Sequence, residues 1–118
     1  MNLNEYQEKA MATCMPSCEN FSYMALNLVG EVGEFTGKIA KHIRKGEVFI
    51  DDCKLYFKRC LPGEVYEVLM DEAGDILWQL SGLCKVMGWS LNDVAERNLE
   101  KLRSRAERGV IDGNGDKR

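Results

Sequence analysis

Four carboxylates stand in two pairs with a spacing of three: Glu31 and Glu34 within Gly30-Glu31-Val32-Gly33-Glu34, and Glu72 and Asp75 within Asp71-Glu72-Ala73-Gly74-Asp75. On a helix that spacing puts both acids of a pair on neighbouring turns of one side. Four such groups can surround a hard divalent cation. Ligation by oxygen alone selects magnesium or manganese over zinc or copper. Magnesium keeps waters and shares its shell with substrate phosphates, which would bring an anionic ligand to the site. Rival chemistries lack their residues. A di-iron bundle needs Glu-x-x-His pairs, and the single histidine, His42, has Ile39 three places before it. No glycine-rich loop ending in Lys-Ser/Thr exists, which excludes a P-loop NTPase. Five cysteines occur without a C-x-x-C pair, so structural zinc is not expected and they read as small hydrophobes.

These acids need helices to hold them. Pro16 closes a first helical stretch from about Leu3 to Met15. Ser22 can cap a second that runs to Lys45 and stops at Gly46. Pro62 suits the first turn of a third, which runs to Met87 and stops at Gly88. Ser90, with Asp93 three places on, opens a fourth that ends near Arg108 before Gly109. Between the second and third, Phe49, Cys53, Tyr56, Phe57 and Cys60 recur at helical spacing, which supports a short extra helix over 51–60. No strand pattern or repeat stands out. The expected class is all-α, a bundle of four main helices.

Within that bundle the third helix has an apolar arc of Leu69, Ala73, Ile76, Leu80, Leu83 and Met87. Glu72 falls inside the arc and Asp75 at its edge. A carboxylate aimed into a helix interface must be paired, protonated or metal-bound. On the second helix Glu31 and Glu34 flank the stripe of Leu28, Val32, Phe35, Ile39 and Ile43, with Asn27 and Lys38 on the same flank. The fourth helix places Asn98 inside its stripe of Leu91, Ala95, Leu99, Leu102 and Ala106, with Lys101 and Arg105 alongside. Three helices are thus expected to send polar groups to a shared interior. The alternative is a non-catalytic bundle in which Glu72 and Asn98 pair with Arg105 or Lys101.

The chain has 118 residues, which suits one domain over 1–118. Hydrophobic residues at 45% and charged residues at 30% exclude global disorder. No apolar run is long enough for a membrane span, and no secretory signal is evident. The net charge of −3 argues against a nucleic-acid binder with a broad basic surface. An odd count of thiols fits a reducing cytoplasm. Charge alternates along the chain, with residues 1–40 and 61–90 acidic and residues 41–60 and 91–118 basic. That layout would suit a cation between the acidic helices and an anionic ligand reaching the basic ones.

The two acid blocks, with Asn98-Leu99-Glu100-Lys101-Leu102-Arg103-Ser104-Arg105 after them, resemble the E-x-x-E, E-x-x-D and Asn-Lys blocks of MazG-like all-α nucleoside triphosphate pyrophosphohydrolases. The ending Arg108-Gly109-Val110-Ile111 with Gly115-Asp116-Lys117-Arg118 is similar to that of some members. The likeness runs from about Leu26 onward. It departs at Gly46–Leu61, which looks like an insertion. The resemblance implies a substrate, a nucleoside triphosphate, split into the monophosphate and pyrophosphate. It implies that Glu31, Glu34, Glu72 and Asp75 bind Mg2+, with Mn2+ as a substitute. It implies that Asn98, Lys101 and Arg105 contact the nucleotide, mostly its phosphates. Glu34 is the carboxylate we expect to take a proton from water, and Lys38 is expected to help hold phosphate. Trp78 and Trp89 are expected in packing rather than on a base.

The resemblance also implies an oligomer that shares its site between chains. The helices support this: Leu26, Val29, Met70 and Leu77 lie beyond the stripes that one neighbour would cover, so at least a dimer is expected. Two other functions fit the same residues, a phosphoribosyl-ATP pyrophosphatase and a helical interaction module without catalysis.

Overall fold

The computed structural model describes residues 1–116. The sequence builds helices α1 (Leu3–Met11), α2 (Phe21–Arg44), α3 (Pro62–Val86) and α4 (Leu91–Glu107), with a single 3-10 turn at Pro16–Cys18. The all-α class holds, apart from one small sheet. Pro62 opens α3, and Gly46, Gly88 and Gly109 follow helix ends with φ of +70°, +74° and +66°. Those are left-handed values that glycine adopts without a Cβ clash.

Two boundaries differ from expectation. α1 ends at Met11 rather than Met15, because the chain turns through Thr13 and Cys14 before Pro16. The cap of α2 is Asn20, whose side chain accepts from Tyr23 N at 2.8 Å; Ser22 lies inside the helix.

The segment expected as a helix over 51–60 is instead a β-hairpin, β1 (Val48–Asp51) and β2 (Lys54–Phe57). Its antiparallel register pairs Val48 with Phe57, Phe49 with Tyr56, Ile50 with Leu55 and Asp51 with Lys54. The turn rests on Asp52 and Cys53 at φ of 48° and 62°, a two-residue turn whose twist suits a hairpin. Cross-strand contact holds it: the Phe49 and Tyr56 rings stack at 5.2 Å. Phe57 meets Tyr66 of α3 edge-on at 5.1 Å, and Val48 is buried. Two strands alone are marginal, so this anchoring to α2 and α3 matters. His42 Nδ1 lies 3.1 Å from Glu47 Oε2 at the hairpin root.

α2 and α3 form the main packed pair, and they run antiparallel: Asn27 meets Gln79 near one end and Lys38 meets Glu72 further along. α1 lies across α3 and α4. Trp78 donates from its indole to Ala10 O and Thr13 Oγ1 of the α1 end, so it packs as expected. Trp89 is half exposed. The deepest core is where α1, α2 and α3 converge on Met11, Met24 and Gly82.

α4 departs from the expected bundle. It is held at its first turn by α1, where Gln7 Oε1 accepts from Leu91 N at 3.0 Å and Asn4 Oδ1 from Asn92 N at 3.0 Å. Farther along, Leu99, Leu102 and Asn98 are exposed. Leu91 at the head of the α4 stripe is buried, while Leu99, Leu102 and Ala106 are left uncovered within the protomer. The radius of gyration is 17.6 Å, against about 13.5 Å for a compact chain of this length.

Candidate metal and nucleotide site

Antiparallel packing of α2 on α3 brings Glu31 opposite Glu72 and Asp75. Carboxylate oxygens of these three lie within 4.8 Å of one another. Glu34 is exposed one turn along, outside that trio, yet close enough for its charge to act on Glu31. Lys38 places its ammonium 3.7 Å from Glu72 Oε1. The other oxygen, Glu72 Oε2, is buried and has no hydrogen-bond partner among the described residues. A carboxylate oxygen shut away from water without a donor is costly, and a cation between the three acids would satisfy it. The oxygen-only donor set and this orphaned oxygen fit a hard divalent ion.

Glu31 is further fixed from behind. Asn27 Nδ2 donates to Glu31 Oε1 at 3.1 Å and to Gln79 Oε1 at 2.9 Å. Gln79 is fully buried and donates in turn to the Met24 carbonyl at 3.3 Å. From the α1 side Tyr6 approaches Asp75. Burial first, and then the Asp75 charge, push the Tyr6 phenol above its ordinary range. Neither Tyr6 nor Gln79 was anticipated. Gln79 had a signal, since it follows Glu72 by seven residues and so shares its helix face; Tyr6 had none.

Burial, then the charges of Glu34 and Asp75, push the Glu31 carboxyl above its ordinary 4.5; the Asn27 amide opposes this without cancelling it. A raised acid pKa means the folded chain binds that proton more tightly than the unfolded chain. The stability Glu31 contributes is then fully present below 4.5 and lost as pH rises through the raised value. In a chelator, Glu31→Gln should therefore gain melting temperature relative to wild type as pH rises from about 4 to 7. Parallel melting curves for the two proteins across that range would contradict the crowding of charge described here.

The second group of expected residues sits apart. Asn98, Lys101 and Arg105 lie on α4, which packs on α1, and no hydrogen bond or ion pair joins them to the acids among the described residues. Among the described residues the alternative pairing of Glu72 or Asn98 with Arg105 or Lys101 does not occur: Glu72 pairs with Lys38. Lys101 and Arg105 converge on Asp116 of the tail instead. Lys101 Nζ is 3.3 Å from its Oδ1, and Arg105 Nη2 donates to its carbonyl at 2.9 Å and to Oδ1 at 3.2 Å. These bonds hold the Asp116 carboxyl below its ordinary range. Arg105 is buried, and its Nε has no partner among the described residues. The final two residues of the tail motif, Lys117 and Arg118, lie outside the described residues.

Residues 19–110 match the MazG nucleotide pyrophosphohydrolase domain. Over its whole length the chain is 34% identical to the whole of the Gene 37 protein of Mycobacterium phage L5, aligned over 125 residues. No solved structure matches. Both acid blocks and the Asn98–Arg105 block lie inside the matched span, while the ending Gly115–Arg118 lies beyond it. The chain belongs to the MazG nucleotide pyrophosphohydrolase domain family.

Proposed function

We propose that the protein is a magnesium-dependent nucleoside triphosphate pyrophosphohydrolase, taking an NTP or dNTP and water to the monophosphate and pyrophosphate. The observation that carries this reading is the trio Glu31, Glu72 and Asp75, with the orphaned Glu72 Oε2 between α2 and α3. Glu31, Glu72 and Asp75 would hold the ion, with Glu34 at the rim, and manganese would serve in its place. Bound there, the ion would offset the triphosphate charge and make water a better nucleophile. Glu34, exposed beside the trio, is free to accept the proton that water gives up. Lys38, already turned to the acids, would hold a phosphate of the leaving pyrophosphate. Residues 1–118 act as one domain, and five free thiols suit a reducing cytoplasm.

A nucleotide panel with magnesium, scored for pyrophosphate release, tests the reaction. Phosphoribosyl-ATP belongs in that panel as the rival substrate. Failure of all nucleotides, together with no rise in melting temperature on adding magnesium, would leave a non-catalytic helical module.

Asn98, Lys101 and Arg105 complete the site in an assembly of at least two copies. The exposed face of α4 supports this, and so does the surface area. The protomer exposes 8518 Å², about 2000 Å² more than the roughly 6500 Å² of a compact monomer of this mass. An excess of that size per chain is ample for a stable interface. Val29, Met70, Leu99 and Leu102 contribute to it. Light scattering at micromolar concentration should report a mass of at least twice 13.4 kDa. A monomer that persists with magnesium and nucleotide present would overturn both the assembly and the shared site.

A further inference from the structure

One open groove runs alongside the acid trio on α2. It has a volume of about 300 Å³ and is lined by Ser22, Tyr23, Leu26 and Asn27. That is the small end of ligand pockets, enough for a ring system and not for a whole nucleotide. It adjoins the trio through Asn27, whose amide donates to Glu31 at 3.1 Å while lying 3.5 Å from Tyr23 Oη. Along α2 the order is therefore Tyr23, Asn27, Glu31, Glu34, Lys38. Charge has a direction on this line. At the Lys38 end the cation is held only loosely, its ammonium 3.7 Å from Glu72 Oε1. At the opposite end Lys85 is already held by Glu19 at 2.7 Å, and the groove offers an aromatic ring, an aliphatic side chain and neutral polar groups.

A triphosphate laid across the acids must send its phosphate end toward Lys38, whose long contact with Glu72 a phosphate can replace, and its nucleoside end away from it. We infer that the groove of Ser22, Tyr23, Leu26 and Asn27 receives the nucleoside of the substrate, with the Tyr23 ring against the base. Asn27 Oδ1, which receives no donor among the described residues, then accepts from a base or sugar group, while the Asn27 amide keeps its bond to Glu31. Filling the groove thus reaches a metal-ligand candidate through one side chain. The inference rests on the pyrophosphohydrolase reading and deepens it by assigning the specificity end of the site.

The test compares two ligands, each with magnesium: a non-hydrolysable α,β-methylene nucleoside triphosphate and inorganic tripolyphosphate, which lacks a nucleoside. Binding is read by calorimetry on wild type, Tyr23→Leu, Tyr23→Phe and Leu26→Trp. The wild type should bind the nucleotide more tightly than tripolyphosphate. Tyr23→Leu should weaken the nucleotide about tenfold, the usual worth of one base on one ring, and leave tripolyphosphate unchanged. Tyr23→Phe should restore nucleotide affinity. Leu26→Trp, at a position 76% exposed and so harmless to folding, should block the groove with the same selective loss. Equal affinities for both ligands in the wild type, or equal effects of the variants on both, overturn the inference. So does a Leu26→Trp protein that loses assembly mass and both ligands together, since the groove is then a surface between copies. A wild type that binds neither ligand overturns the functional reading and the inference with it.

Discussion

Glu72→Gln should lower pyrophosphate release by about a thousandfold or more, the loss expected when several kcal/mol of metal-derived stabilisation are removed. The substitution keeps the shape of the side chain and deletes its charge. Glu72 is the most enclosed of the ion-paired acids among the described residues, with a side chain 12% exposed. It is also the one with an oxygen that lacks a partner. Folding should not suffer. Without metal, removing one of three crowded negative charges relieves repulsion on Glu31 and Asp75. The bond lost to Lys38 is long, and Lys38 is 40% exposed, so water replaces the partner at little cost. The metal-free variant should thus melt at or above the wild-type temperature, and magnesium should no longer raise it. Near-normal hydrolysis by the variant would sink the metal assignment. A melting temperature that still climbs with magnesium would move the ion elsewhere.

The second large effect is on stability, at the meeting of α1, α2 and α3. Met24 is fully buried, and its thioether lies against Gly82 of α3. A Cβ built on Gly82 would run into Met24 Sδ and Cε, and would sit 3.4 Å from Met11 Sδ. Gly82 is therefore a contact requirement rather than a turn requirement. Gly82→Ala should cost about 1–3 kcal/mol by overpacking. Met24→Ala should cost about 2–5 kcal/mol by leaving a cavity and stripping contacts from Gln79, whose amide lies 3.3 Å from the Met24 sulfur. The two should not add. In the double variant the new methyl at position 82 occupies space that Met24 vacates, so the pair should cost less than its parts by more than about 0.5 kcal/mol. Urea unfolding of the three variants measures this. Simple additivity would mean that the sulfur does not lie where the structure puts it.

Much of this arrangement was readable before any coordinates. Pro62 and the glycines at 46, 88 and 109 punctuate the helices because each acts through its own backbone, within one turn. The acid pairs were readable because helix periodicity alone places Glu72 inside an apolar arc. The hairpin was not. Phe49, Cys53, Tyr56 and Phe57 satisfy a helical period by coincidence, and the turn uses Asp52 and Cys53 where a glycine would have announced it. The link from Gln79 through Asn27 to Glu31 depends on the register of α2 against α3, which no local pattern specifies. The same holds for Tyr6 beside Asp75, and for α4, whose apolar stripe is covered at Leu91 but not at Leu99 and Leu102.

The bonds from Gln7 to Leu91 and from Asn4 to Asn92 span 84 and 88 positions of sequence. They fasten α1 to α4 across the whole span of α2, the hairpin and α3. α2, the hairpin and α3 can close on one another from neighbouring sequence, so they can form while the chain is still growing. α1 cannot complete its contacts until α4 exists. Its amide-bearing side chains must wait, and the fourth helix, once made, is fastened in place by residues translated long before it. Deleting the first eleven residues would leave every acid and every cation of the site in the sequence, yet would release the helix that carries Asn98, Lys101 and Arg105.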